Sequence, residues 1–448
     1  IWNDIESSSK EKIQEVQFKR LQETLQRVYT LTPFYKNKFD EMGIKPEDIK
    51  SLDDMSKLPF TKKQDLRDHY PFGLFTVPNN EIVRIHSSSG TTGKPTVVGY
   101  NKEDMDLWDE VMARVYTMAG ATAEDTVHNA YGYGLFTGGL GFHNGAYKVG
   151  ATVIPSSGGF TDRQVMLMKD FSATILASTP SFALHMAESA QKAGMNFKED
   201  FKLKAGIFGA EPTSDGLKEE VAKTWGIDYH EVYGLSEIIG PGVSCSCKHS
   251  NLLHIFEDHF YPEIIDSDTG DLLPDGQRGE LVFTTLTKQA LPLIRYRTGD
   301  ITSLTHEPCA CGRTTVRMES IVGRADDMMI INGVNVYPSQ VEHVIAQTEG
   351  VTLNYQIVID KKGHLDKLEI LVEVSDEIMA DSIAAMGKLK TDIEAAILNN
   401  LYVNASVKLV VPRTIERSMG KAVRIIDKRM LEGKEHEKIC DKTTFYFC

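Results

Sequence analysis

The sequence predicts an α/β protein with two domains: a large N-terminal domain of mostly parallel sheets and helices over residues 1–322, and a small α+β C-terminal lid domain over residues 323–448. Three observations carry this. Short apolar runs alternate with helix-period segments through the first part of the chain. Several of those runs end in a Gly- or Pro-containing turn directly ahead of a helix. Beyond Gly323 the pattern changes to alternating strands around one long helix, a unit of ordinary domain size.

The elements follow in order. Ile13, Leu21, Leu25 and Val28 lie on one helical stripe, with Lys, Glu and Gln between them. Residues 174–177 form a short buried strand that runs into Thr179-Pro180, where proline suits the first turn of a helix. Residues 205–208 repeat the unit: a strand, the turn Gly209-Ala210-Glu211-Pro212, then a helix carrying Leu217, Val221 and Trp225 and stopped by Gly226. Residues 228–233 are a further strand, ending at Gly234. Such units suit a parallel sheet, whose ligands bind where strands end in loops. In the C-terminal unit, residues 355–360, 368–374 and 407–411 are strands and residues 379–401 a helix. The tail, residues 430–448, has no clear period and is expected to fray.

Charge excludes some functions. With 49 basic and 63 acidic side chains, the net charge is −14, which argues against a nucleic-acid partner because phosphate contacts need a basic face. No run approaches the roughly 18 apolar residues of a membrane helix, so no membrane partner is expected. The opening residues are polar and charged, unlike a signal peptide, although there is no initiator Met and a trimmed leader stays open. Six cysteines are too few for a disulfide scaffold, and four of them form two C-x-C pairs, Cys245/Cys247 and Cys309/Cys311. That pairing points to metal in a reducing, cytoplasmic setting.

Five segments carry chemistry. In the first, Ser88, Ser89, Gly90, Thr91, Thr92, Gly93 and Lys94 combine hydroxyl donors, two glycines whose N–H groups can turn inward as an anion nest, and a point charge. This is a phosphate cradle by chemistry, though not a Walker A loop, since Pro95 stands where Ser or Thr is needed. The same composition also suits a polar hairpin tip. The second is Glu231, Val232, Tyr233, Gly234, Leu235, Ser236 and Glu237: a ring on which a purine can stack, a hydroxyl for a phosphoryl oxygen and a hard carboxylate oxygen for Mg²⁺. The third, Gly299-Asp300, offers a carboxylate to two ribose hydroxyls. The fourth and fifth are Gly323-Arg324-Ala325-Asp326 at the domain boundary and Ser418-Met419-Gly420-Lys421. Taken singly, the last four also read as solvated turns or linkers.

Their order and spacing resemble the core motifs of the adenylate-forming (acyl-CoA synthetase) superfamily, and within it the phenylacetate–coenzyme A ligases, from about Leu21 to about Arg429. The most specific stretches are YGYGLFTGGLG (131–141), YGLSEIIGPG (233–242), EDHFYPEIID (257–266) and GRADDMMIINGVNVYPSQ (323–340). The resemblance implies that the serine–threonine–glycine loop handles the β- and γ-phosphates of ATP, that Gly209, Ala210 and Glu211 line the adenine and acyl side, and that Glu231, Val232 and Tyr233 hold the adenine. Ser236 would meet the α-phosphate, Glu237 would carry Mg²⁺, and Asp300 would grip the ribose with Arg324 helping. Asp326 matches a hinge, and Lys421 a lysine that enters the site for adenylation only. For the acid, Tyr131, Tyr133 and Phe136 supply aromatic walls, with Ala210, Gly240 and Pro241 as small apolar wall; no charge lies within residues 131–141, which fits an aryl end.

Two C-x-C pairs with His249 and His254 close by suit a tetrahedral Zn²⁺ site, and spacing alone does not choose between Cys245 and Cys247 or between the two histidines. The resemblance picks Cys247, His254, Cys309 and Cys311, a structural ion with no open position. The expected activity is ATP-dependent ligation of phenylacetate to coenzyme A through an acyl-adenylate. An indoleacetate or benzoate ligase and an enzyme loading a carrier protein are the alternatives, and a zinc-dependent binding protein without chemistry is a further rival. The oligomeric state is open, a homodimer included.

Overall fold

The computed structural model describes residues 1–87, 95–325, 329–332, 334–362, 365–375, 378, 383–417 and 424–430. The serine–threonine–glycine loop from Ser88 to Lys94, Asp326, Lys421 and the tail beyond 430 therefore lie outside the described residues. The chain is an α/β protein of two compact units, the larger built on Ile1–Thr213 and Lys218–Asp326 and the smaller centred on Asp327–Ser418.

In the larger unit, β1 (Arg84–Ser87) and β2 (Val97–Tyr100) form an antiparallel pair flanking the serine–threonine–glycine loop in sequence. β3 (Thr126–Asn129), β4 (Thr152–Ile154), β5 (Ile175–Ser178), β6 (Ala205–Phe208), β7 (Asp228–Leu235), β8 (Ile239–Cys247) and β9 (Ser250–Ile255) follow. β10 (Phe260–Ile265), β11 (Gly279–Thr285), β12 (Tyr296–Thr302), β13 (Leu304–Thr305), β14 (Arg317–Met318) and β15 (Gly323–Arg324) complete the set. A nine-stranded sheet has the order β13-β14-β9-β8-β7-β6-β5-β3-β4. Its β4-β3-β5-β6-β7 half is parallel, as the strand–turn–helix units imply, and each crossover carries a helix, as parallel pairing requires. The β7-to-β13 half is antiparallel, and so is the second sheet, β10-β11-β12-β15. Within the antiparallel half, β8 is buried almost throughout and so shows no period-2 alternation. β7 also runs one residue past Gly234, with an irregular register between Tyr233 and Leu235 that marks where the site begins.

The first helix, Lys10–Leu31, buries Ile13, Leu21, Leu25 and Val28 as its stripe predicts, and Ser9 caps it by accepting from the Lys12 amide at 3.3 Å. Pro180 opens the helix Pro180–Lys192, with the Thr179 hydroxyl accepting from the Phe182 amide at 3.3 Å. A buried ion cluster fixes this first helix and the helix Lys102–Met118 to the segment before β10. The Arg114 guanidinium grips the Asp258 carboxylate at 2.7 and 3.1 Å, and Arg20 joins it.

The smaller unit is a four-stranded sheet in the order Ala405–Val410, Leu365–Val374, Val351–Lys362, Ile425–Asp427. Its central pair is antiparallel and each outer strand is parallel to its neighbour. Ile357, Ile359, Ile370 and Val372 of the sheet and Ile393 and Ile397 of the helix Ile383–Leu401 are all buried and supply its apolar interior. Among the described residues no helix is long and apolar enough to cross a membrane.

Candidate active site and metal cluster

The site is built at the ends of parallel strands. Tyr131, after β3, donates its hydroxyl to the carbonyls of Ser178 and Gly209 at 2.6 and 3.4 Å, joining the tips of β5 and β6, and its ring stacks flat on Phe142 at 4.4 Å. Gly209 admits no side chain, because a Cβ would stand 2.3 Å from the Val232 carbonyl oxygen of the neighbouring strand. Ala210 follows in the left-handed region (φ 72°), and the Glu211 carboxylate accepts the Ser181 amide at 2.7 Å. That bond satisfies one of the exposed donors at the start of the Pro180–Lys192 helix. Gly234 is equally constrained: a Cβ there would lie 2.6 Å from the Ile239 carbonyl, so the chain can double back from β7 into β8 only without one.

On the other side of this turn, Tyr233 donates to one Asp300 carboxylate oxygen at 2.6 Å while the Arg324 guanidinium donates to the other at 3.1 Å. Pairing of β12 with β15 sets Asp300 opposite Arg324, so residues far apart in sequence meet by register. Burial first, then the Asp300 charge, holds the Tyr233 phenol protonated, well above its usual range. Beside it, Lys218 and Ser320 both bond one oxygen of buried Glu231 at 2.7 Å.

Ser236 and Glu237 are both buried. The Ser236 hydroxyl lies 3.5 Å from that of Thr137, and the Glu237 carboxylate has the Lys63 ammonium at 3.4 Å. A buried carboxylate with one half-exposed lysine nearby is a hard oxygen donor of the kind Mg²⁺ accepts beside phosphates. Lys288, which the sequence reading missed, is fully buried and donates to the carbonyls of Glu237 and Ile238 at 3.0 and 2.9 Å. It is the only charged side chain from Leu281 to Ile294, a run otherwise uncharged, and that isolation is the signal that could have found it.

The residues expected to wall the acid divide. Tyr133 accepts from Asn129 at 2.7 Å and lies 3.1 Å from the His143 ring nitrogen, with burial pushing its phenol up to about 12. Pro241 accepts the Trp108 indole N–H at 2.8 Å, which fixes the Gly240-Pro241 segment. Phe136 is 41% exposed and Leu135 64%, so this part of the wall faces solvent.

The cysteines converge separately. Donor atoms of Cys247, His254, Cys309 and Cys311 all lie within 4.8 Å of one another. The Cys247 and Cys309 sulfurs are 3.6 Å apart, and Cys311 lies 3.4 Å from His254 Nε2. Thr315 takes His254 Nδ1 at 3.1 Å, which leaves Nε2 facing the thiols. Burial, then Arg313 and Arg317, pushes this imidazole down to about 3, so it is neutral, as a ligand must be. Cys245 is fully buried and bonds the Ser246 carbonyl instead. Three thiols and a neutral imidazole fit a closed tetrahedral zinc site.

Comparison with known proteins shows what the chain as a whole is similar to. The family model for AMP-binding enzymes matches residues 11–286, and that for the AMP-binding enzyme C-terminal domain matches residues 333–429. A phenylacetate-coenzyme A ligase of Thermus thermophilus is 48% identical over 440 residues, 95% of this chain and 99% of that protein. One of Escherichia coli is 45% identical over 430 residues, 96% of this chain and 98% of that protein. Among solved structures, 2-hydroxyisobutyryl-CoA ligase in the postadenylation state with 2-HIB-AMP aligns with a TM-score of 0.90 at 32% identity, over 96% of this chain and 92% of that one.

Proposed function

The chain belongs to the phenylacetate–coenzyme A ligase family of AMP-binding enzymes, and from that premise we propose that it joins phenylacetate to coenzyme A through an acyl-adenylate. The observation that carries the reading is the Tyr233–Asp300–Arg324 constellation beside the buried Glu237 turn, which offers a ring, a ribose acceptor and a phosphate-side carboxylate at one strand end.

A carboxylate is a poor acyl donor because its leaving group would be oxide. In the first step its oxygen attacks the α-phosphorus of ATP. The new P–O bond forms as the bond to the β-phosphate bridging oxygen breaks, and pyrophosphate leaves. Asp300, oriented by Tyr233 and Arg324, grips the ribose and fixes the α-phosphorus relative to the acid. Ser236 donates to the α-phosphoryl oxygen. Mg²⁺ held at Glu237 would supply charge neutralisation on the phosphates. Lys421 and the hydroxyls of residues 88–94, outside the described residues, would stabilise the crowded negative charge. In the second step the coenzyme A sulfur attacks the acyl carbon, its proton passes to solvent, and AMP departs with its electron pair. A thiol with pKa near 8.5 has enough thiolate near neutral pH to need no general base. Both steps share one acyl carbon but need different surroundings, and Asp326 would be the hinge that exchanges them.

Zinc at Cys247, His254, Cys309 and Cys311 would be structural, joining β8 and β9 to the loop before β14. Its thiolates suit a reducing, cytoplasmic setting. The test is a panel of phenylacetate, indoleacetate, benzoate and alkyl acids, scored by AMP and thioester formation with coenzyme A and no carrier protein. Phenylacetate should give the highest kcat/KM. Thioester formation with none of the acids would overturn the reading.

A further inference from the structure

Three consecutive backbone carbonyls at the phosphate-side turn are held by two side chains that no step above uses. Lys288 donates to the carbonyls of Glu237 and Ile238 at 3.0 and 2.9 Å, and the Tyr100 hydroxyl donates to that of Ser236 at 3.4 Å. The two holders are themselves coupled: the Lys288 ammonium sits 4.8 Å from the centre of the Tyr100 ring. Neither can move freely. Lys288 is 1% exposed and Tyr100 fully buried, and Tyr100 stacks on Trp108 at 4.9 Å. Asp104, buried on the same helix as Trp108, accepts the backbone amides of Gln289 and Ala290 at 2.5 and 2.8 Å, which fixes the chain immediately after Lys288. Trp108 in turn holds the Pro241 carbonyl, and His86 packs edge-on against both Tyr100 and Trp108 at the end of β1.

We propose that Lys288, with Tyr100, is a positioning residue for adenylation: it sets the backbone of residues 236–238 so that the Ser236 hydroxyl and Glu237 carboxylate face the triphosphate. This deepens the reading of Ser236 and Glu237 given above and rests on it. The geometry argues for position rather than mere filling. An apolar side chain would fill the same space, whereas an ammonium bonded to two successive carbonyls constrains the direction of both peptide planes. A buried charge is retained at this turn where burial disfavours it.

Lys288→Met and Tyr100→Phe keep the side-chain bulk and remove the donors. Three quantities are read: ATP dissociation constant by calorimetry with Mg²⁺ present, kcat for acid-dependent pyrophosphate exchange, and KM for the acid. For Lys288→Met the ATP dissociation constant should rise at least tenfold and kcat fall at least twentyfold, with KM for the acid within twofold. Tyr100→Phe should move the first two about threefold in the same directions. ATP affinity and kcat within twofold of the parent in folded Lys288→Met, even with a lowered thermal midpoint, would make the lysine merely structural and overturn the proposal. Should Lys288→Met not fold, Tyr100→Phe decides, and unchanged ATP affinity and kcat there overturn it. A parent that binds ATP but exchanges with no acid fails the ligase reading instead, while the ratio of ATP affinities still judges Lys288.

Discussion

Asp300→Asn replaces one carboxylate oxygen by an amide nitrogen and tests the nucleotide side of the site. Asp300 is 7% exposed, and both of its oxygens are used, one by the Tyr233 hydroxyl at 2.6 Å and one by Arg324 at 3.1 Å. The amide keeps the shape and can still accept from Tyr233, so the fold should survive. The Arg324 side chain is about a third exposed and can turn to solvent, so loss of its pair with the buried carboxylate should cost about 1 kcal/mol. The ribose loses more: one of two charged acceptors becomes a donor that faces a hydroxyl. A hydrogen bond to a charged group contributes about 1.5–3 kcal/mol, so the ATP dissociation constant should rise roughly 10- to 150-fold. The assay is calorimetry of ATP, 2′-deoxy-ATP and 3′-deoxy-ATP on parent and variant, with thermal midpoints as a control. The parent should discriminate against both deoxy nucleotides, and the variant should lose most of that discrimination. A variant that binds ATP weakly yet discriminates as sharply as the parent would refute the assignment of Asp300 to the ribose.

Other perturbations separate the remaining roles. Lys421→Ala should slow adenylation by about two orders of magnitude or more while leaving thioester formation from supplied phenylacetyl-adenylate within threefold, measured as two half-reactions; equal loss of both would contradict the two-state scheme. The parent should carry one zinc per chain by elemental analysis, and Cys309→Ser should lose it and lower the thermal midpoint by about 5–10 °C at roughly 2–4 °C per kcal/mol, with the ranking of acids unchanged; a folded, zinc-free protein with a new ranking would point to a catalytic metal. Asp258→Asn should destabilise the fold by about 3 kcal/mol near neutral pH, because it leaves buried Arg114 short of its partner. Burial raises the Asp258 carboxyl, but His259, Arg114 and Arg20 outweigh that and hold it well below the carboxylate range. Its contribution is therefore complete above the unfolded value near 4 and is lost as pH falls through the depressed one, so the urea-unfolding difference between parent and variant should shrink below about pH 4; a difference that stays constant would dismiss the charge.

Much of this architecture is legible in the sequence, and the gaps have physical causes. The strand–turn–helix units at Ile175–Ser178 and Ala205–Phe208 announce themselves through Thr179-Pro180 and Gly209-Ala210, because caps and tight turns demand particular residue types. The antiparallel strands β8 and β11 announce little, since two-sided burial erases the alternation that marks a half-exposed strand. Asp300 and Arg324 can be picked singly, yet that they share a carboxylate–guanidinium pair is a product of β12–β15 register. Cys245 and Cys247 would point the same way in a regular strand. A register shift between Ser246 and Cys247 separates them, and no spacing rule reveals a bulge. Lys288 shows the opposite case: visible as an isolated charge, but silent about which carbonyls it would find.

The acyl-adenylate is the claim on which the rest depends, and oxygen tracing tests it most directly. Phenylacetate labelled with ¹⁸O in its carboxylate is turned over with ATP, Mg²⁺ and coenzyme A, and the products are read by mass spectrometry. Attack of the carboxylate on the α-phosphorus predicts one ¹⁸O in each AMP released and none in pyrophosphate. Unlabelled AMP, or label appearing in phosphate or pyrophosphate, would contradict it.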